Sequence, residues 1–243
     1  MKRFLLILAC AAGLAASAGA QTVNVHQGEV TTKFYADASE MTLADATTLT
    51  IQGVAFAVSE IDSITVDESE YDLSTVSVVY DGSAARVTVA GNVAGLLTVG
   101  ASGAKVSVAQ DAALANEVTY ALSGMSGDGQ FVMDGQYKAT VSLNNLTLTN
   151  ASGGPAIHIK NGKRIDLVVS GTNTLCDAAG GSQKATLHIK GHTELKGDGT
   201  LSIKGLAGHA FKGNEYVLLK KTFTGSLIVT EAVGDGIHVD QYY

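Results

Sequence analysis

Proline is almost absent from this 243-residue chain, which has Pro155 alone, and tryptophan is wholly absent. A proline within a strand removes a backbone donor from the hydrogen-bond ladder, so its scarcity leaves nearly every stretch of the chain able to pair in sheets. Charge is scarce too. Asp, Glu, Lys and Arg make up 16% of residues, against about 25% in an ordinary globular domain. Basic residues are the scarcer kind, 16 against 23 acidic, which argues against nucleic acid as a partner, because phosphates call for a basic footprint. The two cysteines, Cys10 and Cys176, are too few for a disulfide framework. Beyond the first twenty residues no apolar run approaches the roughly 18 residues of a membrane helix. What is present in quantity forms β-structure: 24 Val, 23 Thr and 28 Gly. Branched side chains suit a pleated surface and glycine supplies tight turns, so a helical bundle is excluded. With 46% hydrophobic residues, the chain has enough apolar side chains for a sizeable core, which excludes disorder.

The first twenty residues read as an export address. Lys2 and Arg3 precede an apolar run from Phe4 to Leu14, and small residues end at Ala18-Gly19-Ala20. That order is the pattern of a secretory signal peptide cleaved after Ala20. Cys10, preceded by Ile7-Leu8-Ala9, offers a lipoprotein site as a lesser alternative. Cleavage leaves 14 basic and 23 acidic residues, a formal charge of −9. It also leaves Cys176 as a single thiol, read as a small core or edge residue, so stability has to come from packing and backbone pairing.

Residues 21–72 show short alternating runs between polar stretches and read as a small β-rich N-terminal lead-in. From residue 73 to 243 the alternation is strict and comes in pieces of three to five residues, among them Val76-Val78-Tyr80, Val87-Val89, Leu97-Val99, Val106-Val108, Val141-Leu143, Ile165-Leu167-Val169 and Leu201-Ile203. Alternate apolar positions predict short strands with one buried face. Their spacing suits a sandwich, a barrel or a solenoid equally. An internal repeat decides among them. Ile157-His158-Ile159-Lys160, Leu187-His188-Ile189-Lys190, His209-Ala210-Phe211-Lys212 and Ile237-His238-Val239-Asp240 are one phrase at intervals of 30, 22 and 28 residues. Each interval is the length of one coil of a parallel β-helix made of three short strands. The expected fold is therefore all-β, a right-handed parallel β-helix with a β-rich lead-in.

The stretches Val141-Ser142-Leu143-Asn144-Asn145-Leu146-Thr147-Leu148-Thr149-Asn150, Gly154-Pro155-Ala156-Ile157-His158-Ile159-Lys160-Asn161-Gly162-Lys163 and Gly171-Thr172-Asn173-Thr174-Leu175 resemble a bacterial secreted carbohydrate-binding β-helix family, formerly a domain of unknown function. Gly234-Asp235-Gly236-Ile237 resembles its recurring coil-opening phrase. The resemblance is firmest over 141–175, extends from 76 to the end, and does not reach 21–72. It implies a pectate-lyase-like fold, binding of plant cell-wall polysaccharide such as polygalacturonate, pectin or cellulose, calcium ions in the coils, and no established catalysis. Family domains usually run through further coils, so a fragment truncated at its C-terminus is expected. Val58-Ser59-Glu60-Ile61-Asp62-Ser63-Ile64-Thr65-Val66 separately resembles a phrase from surface proteins of gut-type Gram-negative bacteria.

Within the repeated phrase the intervening residues face outward. One expected outer column is His158, His188, Ala210, His238, and its neighbour is Lys160, Lys190, Lys212, Asp240. Aligned lysines on strands about 4.8 Å apart repel one another unless an anion lies across them, which suggests a shallow basic strip for a uronic-acid polymer. Solubilising residues on a solvated sheet are the plainer alternative. A zinc site along the histidine column is disfavoured, because outward residues on successive strands converge poorly without supporting carboxylates. Asp128-Gly129, Asp134-Gly135, Asp198-Gly199 and Asp235-Gly236 offer oxygen ligands for calcium at corners, although Asp-Gly is also good turn chemistry. Asp235, Asp198 and Asp128 are the calcium candidates, Asp235 first on the family resemblance.

No catalytic residue is assigned. The chain has no Asp-Asp pair and no Gly-His-Gly, and after cleavage only Arg86 and Arg164 as candidate strong bases, Arg164 reading as a corner residue. A calcium-dependent polysaccharide lyase and a surface adhesin or structural module stay open as alternatives to a non-catalytic binding protein. The missing tryptophan bears on specificity. Without indole platforms to stack on neutral rings, charged pectic chains are favoured over crystalline cellulose.

Overall fold

The computed structural model describes residues 22–36 and 40–243. The expected signal peptide, its expected cleavage after Ala20 and the lipoprotein alternative at Cys10 lie outside the described residues. Among the described residues no helix is long and apolar enough to cross a membrane.

Six strands form the N-terminal part: β1 (Thr22–Gln27), β2 (Val30–Tyr35), β3 (Met41–Ala44), β4 (Thr48–Ile51), β5 (Val54–Ala57) and β6 (Ser63–Asp67). β1 pairs antiparallel with β2 and β6, and β3, β4 and β5 make a separate antiparallel sheet. Val23, Val25, Phe34, Leu49, Ile51, Phe56 and Ile61 are the buried core of this part. Two hairpins follow, β7 (Thr75–Asp81) with β8 (Ala84–Ala90), and β9 (Leu97–Ser102) with β10 (Lys105–Gln110). β2 pairs parallel with β8, so one sheet runs from the N-terminal strands into the rest of the molecule.

From there the strands coil: β11 (Val118–Ser126), β12 (Gln130–Asp134), β13 (Ala139–Asn150), β14 (Ile157–Ile159), β15 (Ile165–Ser170), β16 (Thr172–Asp177), β17 (Ala185–Ile189), β18 (Thr193–Gly197), β19 (Thr200–Gly205), β20 (His209–Gly213), β21 (Tyr216–Phe223), β22 (Ser226–Ala232), β23 (Ile237–His238) and β24 (Gln241–Tyr242). Every pairing among them is parallel, and together they make a β-solenoid of about five turns. Three faces result. The first runs β7, β11, β13, β15, β18, β21, β24; the second runs from the end of β13 through β16, β19 and β22; the third runs β10, β12, β14, β17, β20, β23.

Inward residues stack like on like from coil to coil. Tyr120, Val141, Leu167 and Leu195 are in register on the first face, Leu148, Leu175 and Ile203 on the second, and Phe131, Ile157, Leu187 and Phe211 on the third. All eleven are buried. Each such aliphatic or aromatic side chain withdrawn from water stabilises the fold by roughly 1.5–3 kcal/mol.

Corners raise a different problem, because backbone groups that leave the ladder must still be paired. Buried asparagines solve it. Asn173 donates to the carbonyls of Ser170 (2.9 Å) and Thr200 (3.3 Å) and accepts the N–H of Leu146 (2.9 Å). Asn150 donates to the Pro155 carbonyl, and Asn161 accepts the N–H of Lys163. At the corner after β18, Gly197 has φ +98°, and a Cβ there would stand 2.1 Å from the Val169 carbonyl oxygen, a contact only glycine avoids.

Candidate functional site

The third face carries the outward residues that the repeated phrase marked. His158 on β14 and His188 on β17 are register partners, and their rings stack at 4.7 Å with planes 9° apart. The next coil departs from the expected alignment. Phe211, not Ala210, sits over Leu187, so Lys212 stands over His188 and His238 over Lys212. Ala210 is fully buried. The reason is volume: the phenyl group is the largest apolar side chain of its phrase, and the interior stack of Phe131, Ile157 and Leu187 takes it in. The outer column is therefore His158, His188, Lys212, His238. Lys160 and Lys190 follow their strands in the neighbouring column, where Asn214 succeeds them, its N–H donating to the carbonyl of Ile189. The expected column of three lysines does not form; the three ammonium groups are spread over two adjacent columns.

Lysines without an ion pair are most numerous on this face, while Lys221 on the first face and Lys163 at the turn into β15 also have none with any described residue. Lys138, Lys196 and Lys220 on the first face are ion-paired with Glu117, Asp166 and Glu194, and Lys204 on the second face with Glu231. At the edge of the third face Lys105 is held by Asp128. Lys160, Lys184, Lys190 and Lys212 have no ion pair with any described residue. Their charge is felt by the histidines. Burial, then the charges of His188 and Lys160, pushes His158 down to about 4, with Asp134 opposing. Burial likewise lowers His188, joined by Lys212 and Lys184, while its hydrogen bond with Asn214 at 3.1 Å opposes. At neutral pH the face is thus a pair of neutral stacked rings among four ammonium groups that have no ion pair, with the Asp134 carboxylate near His158. Such a surface can receive an extended anion along its length, with planar apolar contact at the centre.

The calcium candidates stand at different corners. Asp128 lies between β11 and β12, Asp198 between β18 and β19, and Asp235 between β22 and β23. Asp128 is already engaged: it accepts from Lys105 (2.6 Å) and from the N–H and hydroxyl of Ser152, contacts that pull its carboxyl down to about 2, the Lys105 hydrogen bond foremost. Asp235 faces two imidazoles. His238 Nδ1 donates to its Oδ2 at 2.6 Å, and that hydrogen bond lowers the Asp235 carboxyl; His209 Nδ1 lies 3.5 Å from the same oxygen. Calcium takes six to eight oxygen ligands; among the described residues neither Asp128 nor Asp198 belongs to a group of three His, Cys, Asp or Glu side chains with converging ligand atoms.

Three features escaped the sequence. Lys184 sits in a polar loop with no pattern to mark it. His209 was read as the first residue of a phrase rather than as a neighbour of Asp235. The first-face ion network depends on Asp166 and Glu194 being register partners, with Arg164 bonded to Glu117 at 3.0 Å and close to Asp166 at 3.3 Å; those charges are far apart in sequence. Cys176 is half-buried on the second face, its thiol raised chiefly by burial.

Residues 102–243 match the profile of the carbohydrate-binding domain-containing protein family. That is more than half of the chain, and the chain belongs to this family. Among solved structures, the polysaccharide lyase-like protein from C. thermocellum, determined as a gadolinium derivative, is similar with a TM-score of 0.50 and 21% identity, covering 64% of this chain and 61% of that one. At that identity the likeness is one of fold. No curated protein matches the chain.

Proposed function

We propose that this is an exported, non-catalytic polysaccharide-binding protein that holds an acidic glycan of the polygalacturonate class across its third face. One observation carries the reading: Lys160, Lys184, Lys190 and Lys212 gather without ion-pair partners around the stacked His158 and His188, on a chain that is otherwise acidic. Each ammonium is a point charge on a flexible stem, suited to meeting carboxylates spaced along a polymer. The lack of tryptophan disfavours neutral glycan surfaces such as cellulose, which are usually gripped by stacking. Arg164, held by Glu117 and Asp166, is poorly placed to act as the free base of a lyase.

Affinity electrophoresis tests this. The protein should be slowed in gels containing polygalacturonate and run freely in gels containing a neutral β-glucan. Replacing Lys160, Lys190 and Lys212 together with Gln should abolish the retardation. Retardation that survives in a folded triple variant overturns the reading. Running the gels with and without chelator tests for an ion in the complex. Monitoring the same mixture for ultraviolet absorbance of unsaturated uronate tests the lyase alternative. Attachment to cells after all glycans have been competed away would favour an adhesin.

A further inference from the structure

At the C-terminal end of the third face, two coils bring three side chains to one point. His209 opens β20, and Asp235 and His238 flank the turn into β23 one coil later. The backbone fixes them: Gly234 N–H donates to the Gly208 carbonyl (2.9 Å), Ala210 N–H to that of Asp235 (3.2 Å) and Phe211 N–H to that of Gly236 (3.1 Å). The two rings stack with centroids 4.3 Å apart and planes opened by 25°. Gly234 makes the approach possible, since a Cβ at that position would stand 2.9 Å from His209 Nδ1. Among the described residues this is the only place where three His, Cys, Asp or Glu side chains bring ligand atoms within 4.8 Å of one another.

We propose that His209, Asp235 and His238 form a binding site for a divalent transition metal of the zinc type, with at least one coordination position left open to solvent. The donor set is two imidazole nitrogens and one carboxylate oxygen, which suits zinc, copper or nickel and not calcium. Ligand atoms 2.0–2.1 Å from a tetrahedral zinc stand roughly 3.3 Å apart; His209 Nδ1 lies 3.5 Å from Asp235 Oδ2, while His238 Nδ1 is hydrogen-bonded to that oxygen at 2.6 Å and has to give up its proton and move outward to take a metal. His209 Nδ1 accepts the N–H of Asp235 at 2.9 Å, so binding a metal through Nδ1 exchanges that hydrogen bond for the coordinate bond. The carboxylate supplies the convergence that outward histidines on successive strands lack by themselves. This site lies at the end of the lysine face, its His238 over Lys212, but its test does not depend on glycan binding.

The test is metal binding to the untagged full chain. Titration with Co2+ should give a visible d–d absorption that saturates at one equivalent and is bleached by Zn2+ but not by an equal concentration of Ca2+. Loss of an outer-sphere partner alone weakens metal sites roughly 10–100-fold, so Asp235→Asn, His238→Gln and His209→Gln should each weaken Zn2+ binding by at least about 10-fold in calorimetry. His26→Gln, at a histidine bonded to the hydroxyls of Thr31 and Thr65 in the N-terminal part, should leave binding unchanged. Circular dichroism confirms that each variant is folded; Asp235 and His238 are exposed, so their substitution spares the core. Absence of a saturable signal, displacement by Ca2+, or equal affinity in folded Asp235→Asn and His238→Gln overturns the proposal.

Discussion

Acidification should destabilise this protein through the stacked histidines, well before most of its carboxylates titrate. In the folded chain His158 titrates at about 4, held down first by burial, whereas an unfolded histidine titrates near 6.5. The sign follows from the proton count. Between those values the unfolded chain takes up a proton that the folded one refuses, so stability is full above about 6.5 and falls as pH drops toward 4. A tenfold change in proton affinity is worth about 1.4 kcal/mol, which sets an upper bound of about 3.4 kcal/mol. The ring is only half-buried and solvent screens it, so roughly 1–2 kcal/mol is the expected loss. His188, lowered for the same reason, adds in the same direction. Urea unfolding at pH 7, 6 and 5 isolates the effect, because Asp128, pulled down to about 2, and Asp235, also lowered, keep their charge there. His209 is lowered by burial as well, so His158→Gln should flatten the slope in part. An identical pH dependence in wild type and variant would refute the reasoning.

Phe211→Ala should cost about 3–5 kcal/mol in urea unfolding, since it empties the interior stack over Leu187. Gly197→Ala should cost more than about 2 kcal/mol by the same measurement, because both its φ of +98° and the Val169 carbonyl oppose a side chain. Asn173→Ala should cost about 2–3 kcal/mol by orphaning the backbone groups of Ser170, Thr200 and Leu146. Retardation by polygalacturonate should fade as ionic strength rises from about 0.01 to 0.15 M, where the screening length shrinks from about 30 to about 8 Å; insensitivity to salt would mean that lysine charge is not what holds the glycan.

The coils were legible because alternation and repetition are both local. Ile157-His158-Ile159 and Leu187-His188-Ile189 stack in register as the repeated phrase implied, and the parallel solenoid follows from such pairs. Two things were hidden. Val87-Val89 and Leu97-Val99 alternate like coil strands, yet β8 and β9 return antiparallel to β7 and β10; alternation reports a buried face and is silent about strand direction. The slip at Phe211 was hidden because side-chain volume, not position in a phrase, decides which residue enters the core. That slip moved Lys212 beside the histidines and so changed the shape of the candidate site. The cluster at Asp235 was hidden for a related reason: His209 meets it only through the stacking of one coil on the next.

Coil stacking also makes the molecule a ruler. About five turns at roughly 4.8 Å each give the third face a length of only about 24 Å, graduated at fixed intervals that no side-chain motion can stretch. A polymer lying along it is measured by that scale. Oligomers shorter than this stretch of the face should gain affinity with each added sugar.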